Sequence, residues 1–146
     1  MYPAAPVVAV GALVFDGDRV LLVQRGHEPS RGTWTVPGGA VELGEDVRGA
    51  VAREVLEETG LRVRVGPIVD VVDHIERDAM GVRYQYVILD FLAEVESGTL
   101  RAGADAEDVR WVPLDAMPSL NVSPQLPAVV RRARQIVAAG GFLLQS

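Results

Sequence analysis

The stretch WTVPGGAVELGEDVRGAVAREVLEETGL, residues 34–61, decides how the rest of the chain is read. It places six acidic side chains, Glu42, Glu45, Asp46, Glu54, Glu57 and Glu58, behind a Gly38-Gly39 pair. Asp46 is a good N-cap and Gly60 a good residue to follow a helix end, so the spacing predicts a helix between them. Its apolar ridge is Val47, Val51 and Val55 at i+4 steps, with Ala52 and Leu56 alongside. Glu54, Glu57 and Glu58 then stand at i, i+3 and i+4 and project from one face. Like charges at i,i+4, as in Glu54 and Glu58, cost roughly 0.2–0.5 kcal/mol per pair. A face this crowded calls for something positive beside it. Arg53, four residues before Glu57, is placed to orient that carboxylate.

Working outward, Pro37-Gly38-Gly39 reads as a turn whose bare backbone can approach a ligand and offer a carbonyl. A short strand carrying Val41 should follow it. Upstream, residues 7–15 and 20–25 read as strands joined by the turn Asp16-Gly17-Asp18, and GHEPSRG reads as a loop. Downstream, residues 62–73 and 83–95 are β-branched strands flanking the turn region ERDAMG. A further strand covers about 108–112, PLDAMP is one helical turn, and QLPAVVRRARQIVAA is the last helix, with Pro127 in its first turn. The expectation is one α+β domain over residues 1–146, with a mixed sheet and helices on both faces.

Composition narrows the chemistry. Of 146 residues, 49% are hydrophobic and 23% charged, ordinary values for a globular chain. There is no cysteine, which excludes thiol nucleophiles, disulfides and cysteine metal sites. All fourteen basic residues are arginine, which excludes Schiff-base chemistry and a P-loop lysine. Only His27 and His74 are histidines, too few for a multi-histidine zinc site. Net charge is −6, and residues 39–61 hold six acids against Arg48 and Arg53, a local net of −4. That balance argues against a nucleic-acid surface and for hard divalent cations, which prefer oxygen ligands. No apolar run approaches the ~20 residues that span a bilayer. MYPAAPVVAVGALVF lacks a basic leader, so it reads as a first segment and strand of a cytoplasmic protein.

Taken alone, the three helix glutamates also fit a solvated face that merely aids solubility. The wider spacing decides against that reading. Gly39, five residues, Glu45, seven residues, then Arg53-Glu54-Val55-Leu56-Glu57-Glu58-Thr59-Gly60-Leu61 meets every fixed position of the Nudix box, G-x5-E-x7-R-E-U-x-E-E-x-G-U with U apolar. Gly32-x-Trp34 and Gly44-Glu45 on its flanks, and EDVRWVPLDAM near 107–117, resemble the family too. The chain therefore resembles the Nudix hydrolases.

The resemblance implies an α/β/α sandwich with a central mixed β-sheet. It also implies Mg²⁺- or Mn²⁺-dependent hydrolysis of a nucleoside diphosphate linked to another group. Glu57 and Glu58 become the principal metal ligands, helped by the carbonyl of Gly38. Glu54 becomes a ligand or the base that activates water, Arg53 orients the carboxylates, and Glu45 supports the loop or a further cation. Family members often draw another acid from a later loop, and Asp105, Glu107 and Asp108 sit where one is expected. Arg25, Gly39 and Arg83 are candidate phosphate contacts, the arginines by bidentate bonds. Tyr84, Tyr86 and Phe91 are candidates for stacking on a base, against a role as core residues.

For substrate, the pattern RYQYVILDFLAEVESGTLRAG resembles the group labelled ADP-ribose pyrophosphatases, so ADP-ribose or a related nucleotide sugar is expected. Asn121, the only asparagine, lies in MPSLN, where MutT-type enzymes acting on oxidised nucleoside triphosphates keep a base-reading asparagine. A non-catalytic, nucleotide-binding regulatory domain is the reading from another class, and the intact box argues against it. The expected partner is a small nucleotide, with no nucleic acid and no membrane; homodimerisation is left open.

Overall fold

The two-residue period of the first strand sets the sheet and both of its faces. β1 (Val7–Asp16) sends Val10, Ala12 and Val14 to one side and Leu13 and Phe15 to the other, and all five are buried. The computed structural model of the chain describes residues 2–28 and 30–140. β1 ends in a turn to β2 (Arg19–Arg25), with Phe15 opposite Val20. β3 (Trp34–Thr35) and β4 (Gly38–Ala40) are short; β3 pairs with β2 and β4 with β1. β5 (Leu61–Asp78) and β6 (Gly81–Gly98) form a long antiparallel hairpin. β6 lies parallel to β1, from Tyr86 opposite Val7 to Ala93 opposite Val14. β7 (Ala106–Pro113) runs antiparallel to β2. One parallel pairing among antiparallel ones makes the sheet mixed, as the sequence predicts.

Each face carries a helix. α1 (Val47–Thr59) packs Ala50, Val51 and Val55 against Val10, Ala12, Val14 and Phe91. α2 (Leu126–Ala138) packs Leu126, Val129, Val130 and Ala133 against Leu13, Phe15, Trp34 and Leu92. A 3-10 turn, Leu114–Ser119, leads from β7 towards α2. The ends of α1 are those expected: Asp46 Oδ1 accepts from Gly49 N at 2.6 Å, and Gly60, at φ 78°, donates to Leu56 O at 3.0 Å. Among the described residues, no helix is long and apolar enough to cross a membrane.

Three elements differ from the sequence reading. Gly38 and Gly39 form a strand rather than a turn, and that strand ends at Ala40, so Val41 lies just outside it. Glycine reads as a breaker, yet here it permits close packing: a Cβ on Gly38 would lie 2.1 Å from Val10 O, and one on Gly39 2.7 Å from the Glu54 carboxylate. The β5–β6 hairpin extends beyond residues 73 and 83, through to Asp78 and Gly81. Polar residues there hide an alternation of half-buried His74 and Glu76 with exposed Asp73 and Ile75. β3 is unforeseen because two residues carry no period. It exists through non-local bonds, Trp34 N to Asn121 O at 2.8 Å and Ser123 N to Trp34 O at 3.0 Å.

Candidate active site

The site is assembled from the polar face of α1, the edge strand β4 and the loop after β6. Arg53 is its hub. Its Nε and Nη2 donate to the two oxygens of Glu45 at 2.7 and 2.9 Å, the bidentate fork that suits a guanidinium. Nη1 donates to Glu54 at 2.7 Å and to Glu57 at 3.3 Å, and Nη2 also reaches the Ala40 carbonyl at 3.1 Å. Glu42 lies 3.6 Å away. One cation thus serves four carboxylates and ties the helix to the end of β4. The bond from Arg53 holds the Glu45 carboxyl at about 2, well below the usual carboxylate range, helped by the Glu42 backbone N–H.

Glu54 and Glu58 form the inner part of the face. Their carboxyls lie within hydrogen-bond reach of each other, and Glu58 Oε1 accepts from Gly38 N at 3.0 Å. Burial pushes the Glu58 carboxyl up to about 8, and the bond to Glu54 pushes the same way, against the pull of Gly38 N–H and the charge of Arg25. A cation bound beside Glu58 would displace the proton that its raised carboxyl holds. That is the behaviour expected of a metal site whose ligands must be deprotonated. Glu57 is more open, with 58% of its side chain exposed.

The donor set fits a hard divalent cation: Glu54, Glu57, Glu58 and the Gly38 carbonyl are all oxygens, grouped on a rigid helix and an adjoining strand. Among the described residues, no three His, Asp or Glu side chains converge into a ready-made cage. Arg53 holds Glu54 and Glu57 to itself, so gathering the carboxylates around a cation requires them to loosen that grip.

The loop before β7 adjoins the same helix end. Arg101 N donates to Thr59 O at 2.9 Å and Gly103 N to Glu58 O at 3.0 Å, satisfying carbonyls that the helix leaves open. Asp105 O accepts from Gly26 N at 3.2 Å, which joins the loop to the end of β2. The β2–β7 register shifts between Gln24 and Arg25, opposite Asp108 and Ala106, which leaves Glu107 as the extra residue of a bulge. Glu107 pairs with Arg31 at 2.8 Å, and Asp108 binds its neighbours Val109 N and Arg110. Gly103 thus adjoins the helix end and Asp105, two residues on, is tied by its carbonyl to β2, while Glu107 and Asp108 are engaged elsewhere.

Of the candidate substrate contacts, Arg25 is close enough for its charge to act on Glu58, and Gly39 backs directly onto Glu54. Arg83 is not brought to the carboxylates. It stands near the hairpin tip, 4.0 Å from Asp78, seven residues along β6 from Asp90, which pairs with Gly11 of the central strand. Asn121 lies beside β3, its carbonyl bound by Trp34 N. Phe91 is core, whereas Tyr84 and Tyr86 are half-buried on the hairpin, Tyr84 stacked on His74. A recess of about 370 Å³ lined by Phe15, Leu61, Glu94 and Trp111 includes none of these carboxylates. Sequence reading passed over Asp90, a single acid inside the apolar strand VILDFLA, which is the signal that could have marked it. It is only 6% exposed.

Comparison with known proteins shows the family and the fold. The family model for the NUDIX domain matches residues 5–137. A protein of Methanocaldococcus jannaschii named ADP-ribose pyrophosphatase is 36% identical over 115 residues, covering 79% of this chain and 66% of that protein. One of Mycobacterium tuberculosis named putative 8-oxo-dGTP diphosphatase 2 is 37% identical over 116 residues, 75% of this chain and 82% of that one. The crystal structure of a MutT NUDIX hydrolase from Burkholderia pseudomallei superposes with a TM-score of 0.77 at 33% identity, covering 88% of this chain and 98% of that one. The chain spans 38%, 33% and 24% of the length of three longer animal relatives it also matches. With the box, the fold and these likenesses in agreement, the chain belongs to the Nudix hydrolase family.

Proposed function

We propose that this protein hydrolyses a pyrophosphate bond in a nucleoside diphosphate derivative, with ADP-ribose or a related nucleotide sugar as the favoured substrate. The observation that carries the reading is the Glu54–Glu58 contact against Gly38 and Gly39, a paired-carboxyl face on the open edge of β4. Mg²⁺ or Mn²⁺, when bound there by Glu54, Glu57, Glu58 and the Gly38 carbonyl, would supply the charge that neutralises phosphate oxygens and acidifies water. The chain's own groups do the rest. Arg53 fixes the direction of Glu54 and Glu57 through its fork on Glu45, so the carboxylates meet the substrate already oriented. Glu54, held on the helix beside Glu58, is the group placed to take a proton from the attacking water. Arg25 lies on the same side and provides a guanidinium for a phosphate oxygen. Asp105 positions water or metal from the loop anchored on Thr59 and Glu58.

The archaeal relative's name supports the nucleotide-sugar substrate. A second reading, a MutT-type nucleoside triphosphate pyrophosphohydrolase, is favoured by one observation: exposed Asn121 stands beside Trp34 and Thr35 at the approach to β4, where its side chain can meet a base. A screen of nucleotide sugars, dinucleotides and nucleoside triphosphates separates the two. Phosphate release would be measured with alkaline phosphatase to reveal monophosphates, and with inorganic pyrophosphatase to reveal pyrophosphate. Two monophosphate products identify the first reading, and a monophosphate with pyrophosphate identifies the second. No hydrolysis of any substrate in the presence of Mg²⁺ or Mn²⁺ overturns both.

A further inference from the structure

Asp90 sits in the middle of β6 with its carboxyl on the α2 side of the sheet, opposite Asp70 of β5 and Gly11 of β1. It is 94% buried by the 6% that remains exposed, yet no protein group among the described residues donates a hydrogen bond to it. A buried carboxylate without donors is costly, so native proteins rarely keep one without a use. Its oxygens are also not sealed in, because among the described residues no fully enclosed side-chain oxygen lacks a partner. The small surface that Asp90 retains therefore includes its acceptor atoms.

Its direction is set by Gly11. A Cβ at Gly11 would come within 2.3 Å of Asp90 Oδ1 and 3.2 Å of Val36, so the carboxylate leans across the glycine towards β4. Gly11 pairs in turn with Gly38, whose N–H binds Glu58. Gly11 and Gly38 are thus the backbone that lies between Asp90 and the Glu58 carboxyl, level with both along the sheet. Along the same face of β6, Ile88 and half-buried Tyr86 follow Asp90, with Ala9 and Val72 beside them. The result is an apolar floor with one acceptor at the end nearer the carboxylates and an aromatic ring at the other. Polar groups of this kind, few and convergent on an apolar surface, fix the orientation of a small ligand.

We infer that Asp90 is a specificity-determining residue, whose carboxylate accepts hydrogen bonds from donors on the nucleoside part of the substrate. Resting on the proposed hydrolytic reading, this assigns the sheet face beyond Gly38 to the nucleoside. The donors come from one of two sources, an exocyclic amino group of the base or the hydroxyls of the ribose. Desolvation raises the Asp90 carboxyl to about 6, with repulsion from Asp70 adding to it, as expected of an acceptor that waits for its donor.

The test compares the wild-type protein with Asp90→Leu, an apolar near-isostere, on the best substrate from the screen and on three analogues. One analogue lacks the base amino group, one the 2′-hydroxyl and one the 3′-hydroxyl. Deleting the donor that meets Asp90 should lower wild-type kcat/KM by about 10- to 100-fold, mainly through KM, the size of a hydrogen bond to a charged acceptor. The same deletion should change kcat/KM of Asp90→Leu by less than about threefold, and the analogue concerned identifies the source. The metal-free melting temperature of Asp90→Leu should rise, because an unpartnered buried charge is removed. Equal losses for both proteins on every analogue, or a lower melting temperature with unchanged selectivity, would assign Asp90 to the scaffold. Gly11→Ala keeps the carboxylate but forces it aside, so it should lose the same discrimination; retained discrimination overturns the inference even if Asp90→Leu does not fold. If wild type hydrolyses nothing, the functional reading fails and the inference with it. If wild type hydrolyses and Asp90→Leu discriminates as before, the inference alone fails.

Discussion

Arg53 shows how one side chain can serve folding and chemistry at once. Its guanidinium, with 22% of the side chain exposed, donates to Glu45, Glu54 and Glu57 and to the Ala40 carbonyl. Lysine offers a point charge without the fork, so Arg53→Lys cannot hold Glu45 bidentately and Glu54 at the same time. Turnover of Arg53→Lys should fall about 10- to 100-fold, the usual cost of losing a group that orients ligands. Arg53→Ala should also lower metal-free stability by about 1–3 kcal/mol, since it leaves half-buried carboxylates facing one another. Denaturant melts check the second effect, and a stable Arg53→Ala with full activity would reduce Arg53 to a surface ion pair. Glu58 makes the opposite prediction. Its folded carboxyl titrates near 8, above the ordinary value of 4.5, because burial and Glu54 oppose its charge. A raised acid binds its proton more tightly in the folded state, so metal-free stability should decline as pH rises from about 5 to about 8. Glu58→Gln should flatten that decline and leave the fold intact, while turnover drops on the order of 10²–10³. A steeper decline in the variant would contradict the assigned cause.

At the scale of elements, the helix and the loop divide the chemistry between them. α1 was legible because its signals are local: Asp46, the Val47-Val51-Val55 ridge and Gly60 all act within a turn of their own backbone. The Nudix box is local as well, so the carboxylate face could be read with it. The strand made by Gly38 and Gly39 was not legible. The contacts that require glycine there, Val10 O and the Glu54 carboxylate, come from elements 28 and 15 residues away, by the differences 38 − 10 and 54 − 39. Glu107 reads like Asp105 in sequence, and only the bulge opposite Arg25 turns it towards Arg31. Asp90 is legible as an oddity within an apolar run, but its want of a donor is visible only in three dimensions. These placements set a comparison. Glu54→Gln should be the most damaging single change, since a helix fixes a carboxylate more tightly than a loop can. Asp105→Asn should cost less, and Glu107→Gln least, because Glu107 already holds Arg31. Turnover of the three variants at saturating metal and substrate decides the order. Near-normal turnover of Glu54→Gln would move the base to another residue, and a Glu107→Gln loss equal to a box variant would bring the bulge into the mechanism.

For the whole molecule, charge and fold are arranged around one edge of the sheet. Six of the acids fall in residues 39–61 against two arginines, a net of −4 within a chain of −6, and no lysine is present to relieve it. The sandwich tolerates this concentration because the apolar ridge of α1 is fully used against β1 and β6, leaving the acidic face turned towards β4 and Arg53. A divalent cation that binds the folded state and not the unfolded chain must raise stability by mass action. At about 100 times its dissociation constant the gain is about 2.7 kcal/mol, which for a chain of this size lifts the melting temperature by roughly 5–10 °C. Sodium chloride at matched ionic strength relieves repulsion only by screening, so it should produce a much smaller shift. The Glu57→Gln/Glu58→Gln double variant should melt close to wild type without metal, since the raised Glu58 carboxyl already holds its proton and Glu57 is largely exposed, and should lose most of the Mg²⁺-dependent rise. Excess EDTA should abolish hydrolysis and return wild type to its metal-free melting temperature. A Mg²⁺ shift no larger than that of sodium chloride, or one fully retained in the double variant, would place the cation away from α1, and activity that survives EDTA would remove it from the reaction.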